Sequence, residues 1–193
     1  MTMGEPLDDY DRVGWLSDLS NAAVSYLNSG SSVVIVACSA LRIAYRDVFR
    51  LAVTDNNNLS TDSDTLIRLH FIYLQIDEKK ALGFVDERGR IEGHFMPPVL
   101  VRSQFETLEE PDEFELESDC VVVDSTQSTR KVKECAYAVV KHYVKQGWEF
   151  VPCSERPGWT AWQICPRFLW FYNWVEFNHW TLSLLLSKFD SSQ

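Results

Sequence analysis

Three short apolar runs constrain the fold of this 193-residue chain most strongly. They are residues 33–37 (VVIVA), 71–76 (FIYLQI) and 120–123 (CVVV), and each is rich in β-branched or aromatic side chains. Continuous apolar runs, unlike alternating ones, are typical of strands buried on both faces of a parallel sheet. Apolar residues at helical spacing occur beside these runs, over about residues 15–27, 40–53 and 129–146. This arrangement favours an α/β fold with right-handed crossovers between parallel strands.

Two polar segments interrupt the apolar pattern. Residues 54–65 (TDNNNLSTDSDT) are expected to form a polar loop. Residues 106–119 carry eight acidic side chains and no basic one, which is most simply a solvated connection between core elements.

The chain changes character after about residue 151, so residues 1–151 are expected to form one α/β domain and residues 152–193 a separate aromatic-rich tail. Five of the seven tryptophans lie in 159–180, and Glu176 is the one charged residue between 168 and 186. The tail could be an interfacial anchor, an added packing element, or sequence that was never selected for folding. Membrane association through residues 159–186 is the weaker hypothesis, because the segment is polar at its middle.

The overall charge and the cysteine pattern exclude several classes of function. A net charge of −10 without a cluster of basic residues disfavours nucleic acid as a partner. Five cysteines without a C-x-x-C pair indicate neither a zinc site nor a disulfide framework. The N-terminus is acidic and lacks an apolar stretch, so no signal peptide is expected and the location predicted is cytoplasmic.

Four sequence blocks together resemble a known family. They are M-x-x-G-x-P-L-x-D-x-D-R-x-x-W-L at residues 1–16, C-S-A-L-R-x-x-Y-R-D at 38–47, G-H-F-M-P at 93–97 and S-Q-F-E-T-L-E-E-P at 103–111. In this order and spacing the blocks resemble gluconokinase of the P-loop, shikimate-kinase-like group. The resemblance covers roughly residues 1–145.

The resemblance implies a phosphotransferase of carbohydrate catabolism. It implies transfer of the γ-phosphoryl group of ATP to the 6-hydroxyl of D-gluconate with Mg²⁺, and 6-phosphogluconate for the pentose phosphate pathway as product. The implied fold is a five-stranded parallel sheet with helices on both faces and a mobile lid over the nucleotide. A homodimer is left open.

The resemblance also implies a catalytic lid. Arg88 and Arg90, in the segment DERGRIEGHF, lie where the lid arginines of the family lie. Guanidinium groups match the geometry of phosphate oxygens, which suits a role in closing over the transferred group. The alternative is a pair of solvated arginines that flank a glycine turn.

Four further residues are candidates for binding the acceptor substrate. Arg42 and Arg46 follow the first strand, near the carboxyl edge where ligands of open α/β sheets bind, and a gluconate carboxylate would favour contact with arginine. His94 and Gln104 could form hydrogen bonds with sugar hydroxyl groups. The alternatives are a surface arginine pair on one helix face and a histidine with a purely structural role.

One part of the family pattern is missing from this sequence. The family begins with a strand and a phosphate loop, G-x-x-x-x-G-K-[ST], whereas this sequence contains no Gly-Lys pair and its first lysine is Lys79. Residues that bind the nucleotide are therefore unknown. In the family the missing strand lies between the strands at 33–37 and 71–76. We expect those two strands to pair directly or to leave unpaired edges.

The missing phosphate loop predicts a loss of turnover. Phosphoryl transfer depends mainly on positioning and on neutralising phosphate charge, so the purified 193-residue chain should show no gluconate-dependent ATP consumption in a coupled ADP assay. Robust turnover would contradict this expectation. The alternative to an enzyme is a non-catalytic kinase remnant that acts as a binding or interaction protein.

Overall fold

The sheet and its helices alternate along the chain as the apolar pattern predicts. The computed structural model describes residues 9–61, 66–92, 98–143 and 182–188. In chain order the elements are α1 (Asp9–Asn28), β1 (Val33–Cys38), α2 (Ile43–Leu59), β2 (Ile67–Gln75), α3 (Glu78–Glu92), α4 (Pro98–Thr107), α5 (Glu113–Ser118), β3 (Cys120–Asp124), α6 (Thr129–Tyr143) and β4 (Leu182–Lys188).

The three predicted strands are confirmed and point in the same direction. The four described strands are arranged in the order β1-β4-β2-β3. β2 and β3 are parallel, with Phe71 opposite Cys120 and Gln75 opposite Asp124. β4 is antiparallel to β1 and to β2, so these two strands are parallel to each other. The chain therefore has an α/β fold with a parallel β2–β3 pair and flanking helices, as expected for a P-loop-kinase-like architecture.

The expectation for the centre of the sheet was wrong. β1 and β2 neither pair directly nor leave their facing edges open, because β4 lies between them. β4 comes from the aromatic-rich tail, and its residues 182–188 join the same sheet as the strands of residues 1–151. The remaining residues of that tail, 152–181 and 189–193, lie outside the described part of the chain, as does most of the segment 159–186. Within the residues described, no helix is long and apolar enough to cross a membrane.

Helix α2 is longer than the sequence pattern predicts. It continues to Leu59, so the prediction of a polar loop was wrong for residues 54–59. Two asparagines of this polar turn form hydrogen bonds with residues outside α2. Asn56 accepts a hydrogen bond from Asn28 at 2.8 Å, and the Asn57 amide bonds both the N–H and the carbonyl of Ile67 at 2.9 Å. The last turn of α2 is thereby attached to α1 and to the first residue of β2.

The acidic segment 106–119 is also more structured than predicted. Its first residues complete α4, and Glu113–Ser118 form α5. Asp112 caps α5, because its side chain accepts a hydrogen bond from the backbone N–H of Glu115 at 2.9 Å. The Glu115 side chain is only 3% exposed. A wholly solvated connection was therefore the wrong interpretation of this segment.

Helices cover both faces of the sheet. Phe71 and Tyr73 of β2 are buried in the core cluster that includes residues of α1 and α2. Ile72, between them, belongs to a second cluster with β3 and α6. Because successive strand residues point to opposite faces, α1 and α2 pack on one face and α6 on the other. A third, smaller cluster joins the end of β2 to α3 and α4.

Two substitutions on the same helix test this core. Phe49 of α2 is fully buried in the first cluster, whereas Leu51 of α2 is 62% exposed. Phe49→Ala should lower the free energy of unfolding by about 3–5 kcal/mol, because it removes buried apolar area and leaves a cavity. Leu51→Ala should change it by no more than about 0.5 kcal/mol. Urea denaturation measures both, and equal losses would contradict the assigned orientation of α2.

Candidate functional site

A pocket lies at the edge of the sheet where the parallel strands end. Its cavity volume is about 20 Å³, and it is lined by Ala40, Leu41, Arg46, Tyr73, Leu74, Ile76, Gln104, Phe105 and Leu108. These residues come from the β1–α2 connection, α2, the end of β2, and the region of α4. Ligands of open α/β sheets bind at this edge. The pocket is therefore the candidate functional site.

One wall of the pocket depends on how the N-terminus of α2 is capped. Arg42 is the N-cap residue, but its side chain makes no capping hydrogen bond. Instead the Ile43 N–H donates to the Glu109 carboxylate at 2.7 Å, and the Glu109 N–H donates to the Leu41 carbonyl at 2.8 Å. A carboxylate at this position is favoured by the helix dipole. Glu109 thereby fastens the α4–α5 connection to the β1–α2 connection.

Arg46 forms a buried two-pronged ion pair behind that wall. Its Nε donates to Glu115 Oε1 at 2.7 Å and its Nη2 to Glu115 Oε2 at 2.5 Å. The side chains of Arg46 and Glu115 are only 1% and 3% exposed. Arg46 Nη1 also donates to the carbonyls of Ala40 and Glu109, at 3.2 and 3.1 Å. A single guanidinium group thus holds together three segments around the pocket.

Arg50, one turn further along α2, extends the network. It donates to Glu115 at 2.6 Å, to Asp119 at 2.8 and 2.9 Å, and to Asp47 at 2.8 Å. Burial by itself would raise the pKa of Glu115, but the hydrogen bonds and positive charges of Arg46 and Arg50 outweigh it and hold that pKa below its usual value. Glu115 is therefore a carboxylate at neutral pH.

The ion pair limits what Arg46 can offer to a ligand. A guanidinium group has five N–H donors, and four hydrogen bonds from Arg46 already go to Glu115 and to the two carbonyls. These bonds use four of its five N–H groups, and the side chain is only 1% exposed. A second two-pronged contact, of the kind a substrate carboxylate favours, is excluded while Arg46 is paired in this way.

Tyr73 adds a hydroxyl group beside the pocket. Its hydroxyl donates to Glu110 Oε1 at 3.3 Å. Burial, followed by the negative charge of Glu110, raises the pKa of Tyr73 well above its usual value. The phenol consequently stays protonated at neutral pH, and because its O–H is donated to Glu110, its oxygen can accept a hydrogen bond from a ligand hydroxyl.

The structure brings two of the predicted site residues together. Arg46 and Gln104 both line the pocket. Arg42 lies at the adjacent N-terminus of α2, with its guanidinium carbon 5.9 Å from the centroid of the Tyr45 ring. The predicted roles of these residues in substrate binding stay predictions.

The structure describes the predicted lid residues only in part. Arg88 and Arg90 lie on helix α3 rather than beside a glycine turn. The Arg90 side chain is 76% exposed and forms an ion pair with Asp86. The side chain of Arg88 and the whole of His94 lie outside the described residues.

Across 9–61, 66–92, 98–143 and 182–188 no three His, Cys, Asp or Glu side chains are grouped as metal ligands would be. The printed sequence also lacks the Gly-Lys pair of a phosphate loop.

Comparison with known proteins identifies the family. No protein-family model matches the chain. The chain is 36% identical to the thermoresistant gluconokinase of Escherichia coli (strain K12) over 142 residues, which cover 73% of this chain and 70% of that protein. It is 35% identical to the thermosensitive gluconokinase of the same strain over 141 residues, or 72% of this chain and 65% of that protein. The chain belongs to the gluconokinase family.

The similarity extends to eukaryotic gluconokinases. The gluconokinase of Arabidopsis thaliana is 34% identical over 109 residues, which cover 56% of each chain. The present chain thus spans between about half and 70% of the length of these curated relatives. The family assignment agrees with the resemblance found in the four sequence blocks.

Sequence analysis of this gluconokinase-family chain missed Glu115, Glu109 and Tyr73 as parts of the site. A signal for the first was present, because Asp112 and Glu115 form the D-x-x-E spacing of a helix start just before further apolar residues. No comparable signal marks Tyr73, which occupies an ordinary position in an apolar strand. Its hydroxyl becomes informative only when β2 is placed beside the α4–α5 connection.

Removal of the Glu115 carboxylate should destabilise the fold strongly. Glu115→Gln leaves the Arg46 guanidinium buried without a counter-charge, and we expect the free energy of unfolding to fall by about 3–5 kcal/mol. Glu117→Gln, on the exposed side of the same short helix, should change it by no more than about 0.5 kcal/mol. Urea denaturation at pH 7 compares the two. Similar values for both variants would contradict a supporting role of the ion pair.

The same pair predicts a pH dependence. The pKa of Glu115 is lower in the folded than in the unfolded chain, so its contribution is complete above the unfolded value of about 4.3 and is lost as the pH falls through the folded value. The difference in unfolding free energy between the parent chain and Glu115→Gln should therefore be constant from pH 7 to about pH 5 and shrink below about pH 4. A difference that grows as the pH falls would contradict this sign.

Proposed function

We propose that this chain binds D-gluconate in the pocket between β1, β2 and α4 and that it acts in the ATP-dependent phosphorylation of gluconate to 6-phospho-D-gluconate. The proposal is supported by the agreement of two independent findings. The chain is 36% identical to a gluconokinase over 142 residues, and its candidate pocket lies at the carboxyl edge of the sheet.

The polar groups around the pocket suit a sugar acid. The Gln104 amide and the Tyr73 hydroxyl can each form hydrogen bonds with hydroxyl groups of an open-chain polyol. We assign the positive charges of Arg42 and Arg46 to the carboxylate of the acceptor, as the resemblance implies. We assign His94 to the acceptor as well, and Arg88 and Arg90 to the closing lid, on the resemblance alone.

The co-substrate and the metal ion belong to the same proposal. ATP would supply the phosphoryl group, and Mg²⁺ would neutralise charge on the phosphates. The described residues contribute acceptor binding and orientation, which convert an encounter in solution into an aligned pair of reactants. A cytoplasmic location is supported by five cysteines without a pairing pattern.

A second candidate function is favoured by the sequence itself. The sequence contains no Gly-Lys pair, which a phosphate loop carries. A non-catalytic relative that retains only the acceptor pocket would bind the sugar acid without turning it over. The two candidates share the pocket and differ only in catalysis.

Titration of the purified chain with gluconate tests the shared part of the proposal. We expect saturable binding by calorimetry, weakened up to about tenfold by Gln104→Leu, since one hydrogen bond contributes about 0.5–1.5 kcal/mol. Val99→Ala, at an exposed position of the same helix, is the matched control and should leave the Kd unchanged. Failure of the parent chain to bind gluconate, or equal weakening by both variants, would refute the assigned pocket.

A coupled ATP assay on the same sample separates the two candidates. Binding without turnover supports the non-catalytic reading of this chain. Gluconate-dependent release of ADP supports the enzyme, and overturns the expectation that the chain is inactive without a phosphate loop.

A further inference from the structure

The middle of the sheet is filled by a strand from a remote part of the sequence. β4 begins 39 positions after the end of α6, at Leu182, yet it lies between β1 and β2. Its residues 182–187 are opposite β1 and its residues 183–188 are opposite β2. Residues 183–187 are therefore paired on both sides.

The orientation of β4 differs from that of its neighbours. β1, β2 and β3 all point the same way, and β4 runs against them. Without β4, the facing edges of β1 and β2 would both present unpaired N–H and C=O groups in the middle of a sheet. Two such edges, separated by the width of one strand, form a template for an extended peptide.

The residues around this gap determine which kind of peptide can bind in it. The neighbouring strands read VVIVAC and IRLHFI over the paired residues, and α1 and α2 cover one face of the sheet. An occupant must therefore be extended and mainly apolar. It must also lack proline, because each N–H of a central strand faces one neighbour or the other. The segment LSLLLSK at 182–188 satisfies all three conditions.

We propose that the gap between β1 and β2 is a peptide-binding site, specific for an extended apolar segment antiparallel to both strands, and that residues 182–188 of the chain itself occupy it. The affinity comes from backbone hydrogen bonds on two edges at once, as in strand addition at a single edge. The same site accepts this segment as a separate peptide when the covalently attached copy is displaced. This inference does not depend on gluconate binding.

A proline substitution in the middle of β4 should displace this strand from the gap. Leu185 is opposite Ile35 of β1 and His70 of β2, so it lies at the centre of both ladders. Leu185→Pro in the full chain removes a ladder hydrogen bond and disfavours the strand. Leu185→Val, which keeps the N–H and a β-forming side chain, is the matched control. The probe is a synthetic peptide of residues 181–188 with an N-terminal fluorescein.

Fluorescence anisotropy with this probe should show saturable binding to the full-length Leu185→Pro chain at a stoichiometry of one. The parent chain and Leu185→Val should bind at least about tenfold more weakly, because their own β4 competes at a high effective concentration. A probe that itself carries the Leu185→Pro change should bind none of them. Equal binding to all three chains, or no binding to a folded Leu185→Pro chain, would overturn the proposal.

A refolding experiment covers the case in which Leu185→Pro does not fold by itself. The variant is diluted from urea with and without the unlabelled peptide, and recovery of soluble chain with native circular dichroism is measured. Recovery with the parent peptide but not with the proline peptide supports the site. Absence of recovery with either peptide would overturn the proposal, since the gap would then not accept the segment in trans.

Discussion

The buried ion pair between Arg46 and Glu115 connects the parts of the chain that surround the pocket. Arg46 lies on the helix after β1, and Glu115 lies on the short helix before β3. Both charges are almost completely removed from water, so each requires the other and each requires further hydrogen bonds. Glu115 accepts a further hydrogen bond from Arg50. Arg46 donates to the carbonyls of Ala40 and Glu109, which belong to the connections that form the pocket wall.

This arrangement gives Arg46 a role in positioning the segments around the pocket. Four hydrogen bonds from Arg46 are made within the protein, and the geometry of the pocket depends on them. The other polar side chains that line the pocket are those of Gln104 and Tyr73. An arginine can thus line a site and act mainly by positioning the segments around it.

The centre of the sheet also depends on a contact between distant parts of the chain. The pocket lies near the carboxyl ends of β1 and β2, and among the described strands β4 is paired between these two. A strand of reversed direction can complete such a sheet, because antiparallel pairing satisfies the same backbone groups as parallel pairing. The position of the pocket therefore depends on a segment that is distant in sequence from every residue that lines it.

The sequence by itself determined the local structure and the family. Continuous β-branched runs specified β1, β2 and β3, and helical spacing specified most of α1, α2 and α6. Four blocks of residues indicated the gluconokinase family. The polar turn at Asn56–Asn57 and the short helix around Glu115 were misjudged, because their stability comes from partners far along the chain rather than from local pattern.

Only the tertiary structure decided that Arg46 is paired with Glu115, that Tyr73 meets Glu110, and that residues 182–188 fill the centre of the sheet. These contacts join positions about 37 to 150 residues apart, and pairing over such distances is set by packing of whole elements, which no local periodicity encodes.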